Sequence, residues 1–123
     1  MRPAVLSIAR ERFVSPLRNA VLAHAGYGVI PVTSFEAALN ILRRRHIAAM
    51  VIGQSMDLRE RRVLCSEAHK LGIPSVVLDP YGQPCDDQCQ LHMNPLDGPE
   101  LFLDALASLL KRGPMPCAAG AHC

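Results

Sequence analysis

The chain has 123 residues, half of them apolar and 20% charged, with a formal net charge of +2. That is one domain's worth of polypeptide, with the composition of a globular protein and not of a disordered one. No apolar run approaches the roughly 18–20 residues that cross a bilayer. The charge is too small, and five Phe or Tyr with no Trp too few, to argue for a nucleic-acid partner. The N-terminal MRPAVLSIARER carries an apolar stretch too short for a secretory signal. The five cysteines are therefore expected to be reduced thiols in a cytoplasmic protein.

Short apolar runs alternate with amphipathic stretches. Ala4 to Ala9 reads as a buried strand. Pro16 suits a first helical turn, and Leu17, Ala20, Val21 and His24/Ala25 follow at helical spacing before Gly26 and Gly28 stop the helix. Val29-Ile30-Pro31-Val32 is a second strand, and its proline suits a sheet edge. Ser34 is a good N-cap for a helix over Phe35 to Arg45, with Phe35, Ala38, Leu39 and Leu42 inward and Arg43-Arg44-Arg45 at its end. Ile47 to Ile52 is continuously apolar, as in a central parallel strand covered on both faces. A third helix, about Leu58 to Leu71, follows Asp57 and stops at Gly72-Ile73-Pro74; its Arg59, Glu60, Arg61 and Arg62 read as a solvated face or as a dock for an acidic partner. Ser75 to Leu78 is a fourth strand, Tyr81 to Gln90 a polar loop, and Leu91-His92-Met93 a short fifth strand. The last helix, Gly98 to Lys111, turns Leu101, Phe102, Ala105, Leu106 and Leu109 inward.

Strands alternating with helices predict a single doubly wound α/β domain. It would carry a five-stranded parallel sheet of flavodoxin-like order 2-1-3-4-5, with helices on both faces. The domain is expected over residues 4–112, and the tail 113–123, which lacks periodicity, is expected to be disordered.

Four segments resemble response-regulator receiver (CheY-like) domains: AVLSIARERF, AGYGVIPVTSFEAALNIL, IPSVVLDP and LHMNPLDGPELFLDALASLL. The resemblance implies phosphoryl transfer from a histidine kinase to an Asp at the end of the third strand, beside a magnesium ion held by acids that follow the first strand. A Thr or Ser ending strand four and a Lys before the strand-five proline would then contact the phosphoryl oxygens. On this chain the acidic pair falls on Ala9 and Arg10, the acceptor on Gly53, the Thr/Ser on Asp79 and the Lys on Asn94. Arg10 would put a fixed positive charge where the cation sits in the family. The helix that receivers carry between strands four and five is expected to be short or missing.

The expectation is a degenerate, stand-alone pseudo-receiver in two-component-type signalling. It would act by binding a protein partner or a second copy of itself, without catalysis and without a cofactor. Phe102 and Leu109 of the last helix are the candidate partner surface. Arg10 and Asp79 would pair at the sheet's carboxyl edge or stand as two solvated charges. Cys85, Cys89 and His92, with the tail's Cys117, His122 and Cys123, have loose metal-ligand spacing. The alternative is accordingly a thiol- or metal-responsive sensor built on Cys85, Cys89 and His92. Cys65, on the third helix, reads as a small buried apolar residue.

Overall fold

A computed structural model describes residues 2–10, 15–53, 56–78, 91–94 and 97–112. In chain order the elements are β1 (Ala4–Ile8), α1 (Ser15–His24), β2 (Gly28–Val32), α2 (Phe35–Arg44), β3 (Ala49–Ile52), α3 (Leu58–Lys70), β4 (Ser75–Leu78), β5 (Leu91–Met93) and α4 (Pro99–Arg112). The five strands form one sheet in the order β2-β1-β3-β4-β5. Every pairing is parallel, with Ile8 opposite Ile52, Ile52 opposite Val77 and Leu78 opposite Met93. The expected doubly wound order is therefore the observed one, and β2 with Pro31 lies at an edge.

All four residues of the central strand β3 are fully buried, which is what a continuous apolar run demands when helices cover both faces. The alternation of side chains along each strand divides the core in two. Leu6, Ile8, Met50, Ile52 and Val77 pack with Ala38 and Leu42 of α2 and Leu64, Cys65 and Ala68 of α3. Val5, Ala49, Val51, Val76 and Leu78 pack with Leu22 of α1 and Phe102, Leu106 and Leu109 of α4. Each fully buried Leu or Ile contributes roughly 1.5–3 kcal/mol.

The helix ends follow local chemistry. Ser34 caps α2 by accepting from the Ala37 N–H, and Asp57 caps α3 by accepting from the Arg59 N–H. After α1 and α3 the chain turns through Gly26 (φ 101°) and Gly72 (φ 74°). Their N–H groups bond Ala23 and His69 carbonyls, while Tyr27 and Ile73 reach back to Leu22 and Ala68. This paired closure needs a left-handed residue, which glycine adopts without a Cβ penalty.

Three sequence expectations are corrected. In α1 the inward residues are Arg18 and Leu22, while Leu17 is 73% exposed. The helix is turned from the expected stripe because Arg18 finds hydrogen-bond acceptors on β1. In α4, Leu101 is exposed, whereas Phe102 and Leu109, the candidate partner surface, are buried in the core; side chains so enclosed cannot meet a partner. In the Arg59–Arg62 run, Arg61 is only 3% exposed, because it shares a helix face with Leu64, Cys65 and Ala68. Cys65 is buried as expected.

Candidate functional site at the carboxyl rim of the sheet

The carboxyl ends of β1 and β3 lie side by side. Gly53, the residue after β3, donates its N–H to the Ile8 carbonyl at 2.8 Å, and Ala9 donates to Val32 at 3.2 Å. Ala9 is 2% exposed. A Cβ placed on Gly53 would meet Nη1 of Arg18 at 3.1 Å, the Ala9 Cβ at 3.4 Å and the Ile8 carbonyl oxygen at 3.4 Å. The space a side chain would use at position 53 is thus bounded by a guanidinium.

Arg18 reaches this rim from the first turns of α1. Its Nη2 donates to the Ile8 carbonyl at 2.9 Å and to Ser7 Oγ at 3.0 Å, and its Nε donates to Ser7 Oγ at 3.2 Å. Ser7, fully buried on β1, donates in turn to Asn19 Oδ1 at 2.6 Å. The Ser7 hydroxyl and the Ile8 carbonyl are both neutral, and among the described residues no carboxylate balances the charge of Arg18. Burial pushes the Arg18 pKa down to about 10, because removal from water disfavours the charged form. It remains protonated at neutral pH.

Arg10 does not occupy the place expected for it. Its side chain is half exposed and ion-pairs with Glu60 of α3. The charge beside Gly53 is that of Arg18, a residue the sequence reading passed over. The signal that could have found it is the i, i+4 spacing of Arg18 with Leu22, opposite a lone Ser7 in an otherwise apolar strand.

A cavity of about 250 Å³ opens next to this cluster, between α1 and α4. Arg18, Leu17 and Val21 form one wall, Leu78 and Asn94 the ends of β4 and β5, and Gly98, Pro99 and Phe102 the wall from α4. Asn94 therefore lies at this cavity and also closes a turn by accepting from the Asp97 N–H at 3.0 Å. His92 lies on β5, in register with Val77. Asp79, Cys85, Cys89 and the tail fall outside the described residues, as does the segment expected to hold a short or missing helix. Among the described residues no three of His, Cys, Asp and Glu converge on a metal-sized site. No helix of the described residues is long and apolar enough to cross a membrane.

Magnesium, implied by the resemblance, requires several oxygen ligands. Ala9, Arg10 and Gly53 offer no carboxylate, and Arg18 places a buried cation at the same rim. The described residues do not fit a divalent cation.

No protein-family model and no curated protein matches the sequence. Solved structures do match the fold. A CheY-like response-regulator receiver domain protein from Methanospirillum hungatei JF-1 superposes with a TM-score of 0.80 at 14% identity, covering 91% of this chain and 96% of that one. The signal receiver domain of an HD domain-containing protein from Pseudomonas fluorescens Pf-5 gives 0.76 at 15% identity, covering 91% and 97%. The receiver domain of the sensor histidine kinase PA1611 from Pseudomonas aeruginosa PAO1, which has magnesium coordinated in its active-site cleft, gives 0.75 at 13%, covering 90% and 99%. The doubly wound sheet, its strand order and its flanking helices are those of these domains, so the chain has the fold of a response-regulator receiver domain.

Proposed function

We propose that this chain is a pseudo-receiver: a cytoplasmic protein-interaction module of two-component-type signalling that works without accepting a phosphoryl group and without enzymatic activity. The observation that carries the reading is the closeness of Arg18 to the place a side chain at position 53 would occupy. The acceptor position has no side chain, and a Cβ there would lie 3.1 Å from a buried guanidinium. A phosphoryl acceptor at this rim needs a carboxylate nucleophile and a cation to spread the transferred charge. Position 53 offers no nucleophile, and Arg18 repels the metal. What remains is a fold whose output is binding to a protein partner or a second copy.

On α4 the exposed apolar residue available to such a partner is Leu101, 54% exposed, in place of Phe102 and Leu109. On α1 it is Leu17, 73% exposed.

The test is incubation of the full chain with acetyl phosphate, and separately with beryllofluoride, each with magnesium. Intact mass and amide spectra are then recorded. Neither an adduct nor a shift at Ala9, Gly53 or Asn94 is expected. A phospho-adduct, or beryllofluoride-dependent shifts at those residues, would overturn the reading.

A further inference from the structure

The cavity between α1 and α4 joins two features that are seldom neighbours. Most of its lining is apolar: Leu17 and Val21 on one side, Leu78 at the floor, Phe102 on the other. Its wall also includes Arg18, a cation 8% exposed that donates to a hydroxyl and a backbone carbonyl. Among the described residues no carboxylate pairs with it, and a buried charge so placed is held at a cost; among the same residues its Nη1 makes no hydrogen bond. The N-terminal end of α4, at Gly98 and Pro99, borders the same space and adds a partial positive charge.

We propose that this cavity binds a small amphipathic carboxylate, its anionic head on Arg18 and its apolar body against Leu17, Val21, Leu78 and Phe102. The volume sets the size. An apolar cavity of roughly 150 Å³ takes benzene, so about 250 Å³ accommodates a body of roughly eight carbons. The charge sets the head group. One guanidinium balances one negative charge. A phosphate dianion would enter mostly apolar surroundings with one charge uncompensated. Nε and Nη2 are already engaged by Ser7 and the Ile8 carbonyl, so the head group meets Arg18 through Nη1. This site stands independently of whether the rim accepts a phosphoryl group.

The experiment titrates the isotopically labelled full chain with sodium octanoate, 1-octanol and acetate, following amide shifts. Octanoate is expected to saturate shifts at Val21, Leu78, Asn94 and Phe102 and to bind at least about tenfold tighter than 1-octanol; acetate is expected not to saturate. Leu17→Glu places a negative charge at the mouth. Since Leu17 is 73% exposed, the fold is retained, and octanoate affinity is expected to fall by about tenfold or more. Arg18→Met is expected to equalise octanoate and octanol; should that variant fail to fold, Leu17→Glu carries the test. The proposal is overturned by equal affinity for octanoate and octanol in the unmodified chain. It is likewise overturned by shifts elsewhere than this cavity, by no saturation up to about 10 mM, or by unchanged octanoate binding in Leu17→Glu.

Discussion

Replacing Gly53 by aspartate tests the electrostatics of the rim directly. The Cβ position lies 3.1 Å from Arg18 Nη1, so the introduced carboxylate comes within about 4 Å of a buried guanidinium. At an effective dielectric of about 20, that separation is worth about 4 kcal/mol before desolvation. Burying the carboxylate and crowding the Ala9 Cβ and Ile8 carbonyl, each at 3.4 Å, take back part of it. A net gain of about 1–2 kcal/mol at neutral pH remains, since the substitution supplies a counter-ion that Arg18 lacks among the described residues. The introduced carboxyl should titrate at least about one unit below its ordinary value of about 3.9. A depressed folded-state pKa gives stability that is present above the unfolded value and lost as pH falls through the folded one. The advantage of Gly53→Asp over the unmodified chain should therefore hold at about pH 5 and fade below about pH 4. Urea denaturation across that range and a carboxyl-carbon titration measure it. The reasoning fails if the carboxyl titrates at or above its ordinary value, or if Gly53→Asp binds magnesium while Arg18 is intact. Adding Arg10→Asp should not create a magnesium site either, because Arg10 faces Glu60 instead.

Other substitutions probe the parts separately. Ser7→Ala removes the acceptor shared by two Arg18 donors and the donor to Asn19; a loss of about 1–3 kcal/mol is expected by urea denaturation, with Arg18 side-chain resonances broadened. Ser34→Ala deletes the α2 cap and should cost about 1 kcal/mol in the same assay, leaving amide shifts at the rim unchanged. Arg10→Gln breaks a pair whose side chains are 50% and 25% exposed; the expected loss is at most about 1 kcal/mol and should shrink in high salt.

Strand β3 was legible because a fully buried parallel strand must be apolar at every position, and Ala49 to Ile52 are. The ends of α2 and α3 were legible because Ser34, Asp57 and Gly72 act on backbone groups two or three residues away. Alternation of these elements was enough to set the strand order, since right-handed crossovers leave few arrangements. The substitution of Gly53 for a phosphoacceptor was visible as well, because it is a matter of which residue follows β3.

What the linear chain did not reveal is how α1 is turned about its axis; in α4 Phe102, Leu106 and Leu109 face the core as read, and only Leu101 does not. By hydrophobicity alone the stripe at Leu17, Ala20 and Val21 is the inward one, yet the folded helix buries Arg18 and Leu22. The choice between them rests on Ser7 and the Ile8 carbonyl, residues of another element that satisfy a guanidinium only when the helix docks in one orientation. The same holds for the charge at the rim. Composition showed arginines at 10 and 18 alike; packing put one against Glu60 at the surface and buried the other beside Gly53. Local propensity and periodicity are properties of a segment and can be read from it. The partner of a buried charge is a property of two segments brought together, and only the folded arrangement decides it.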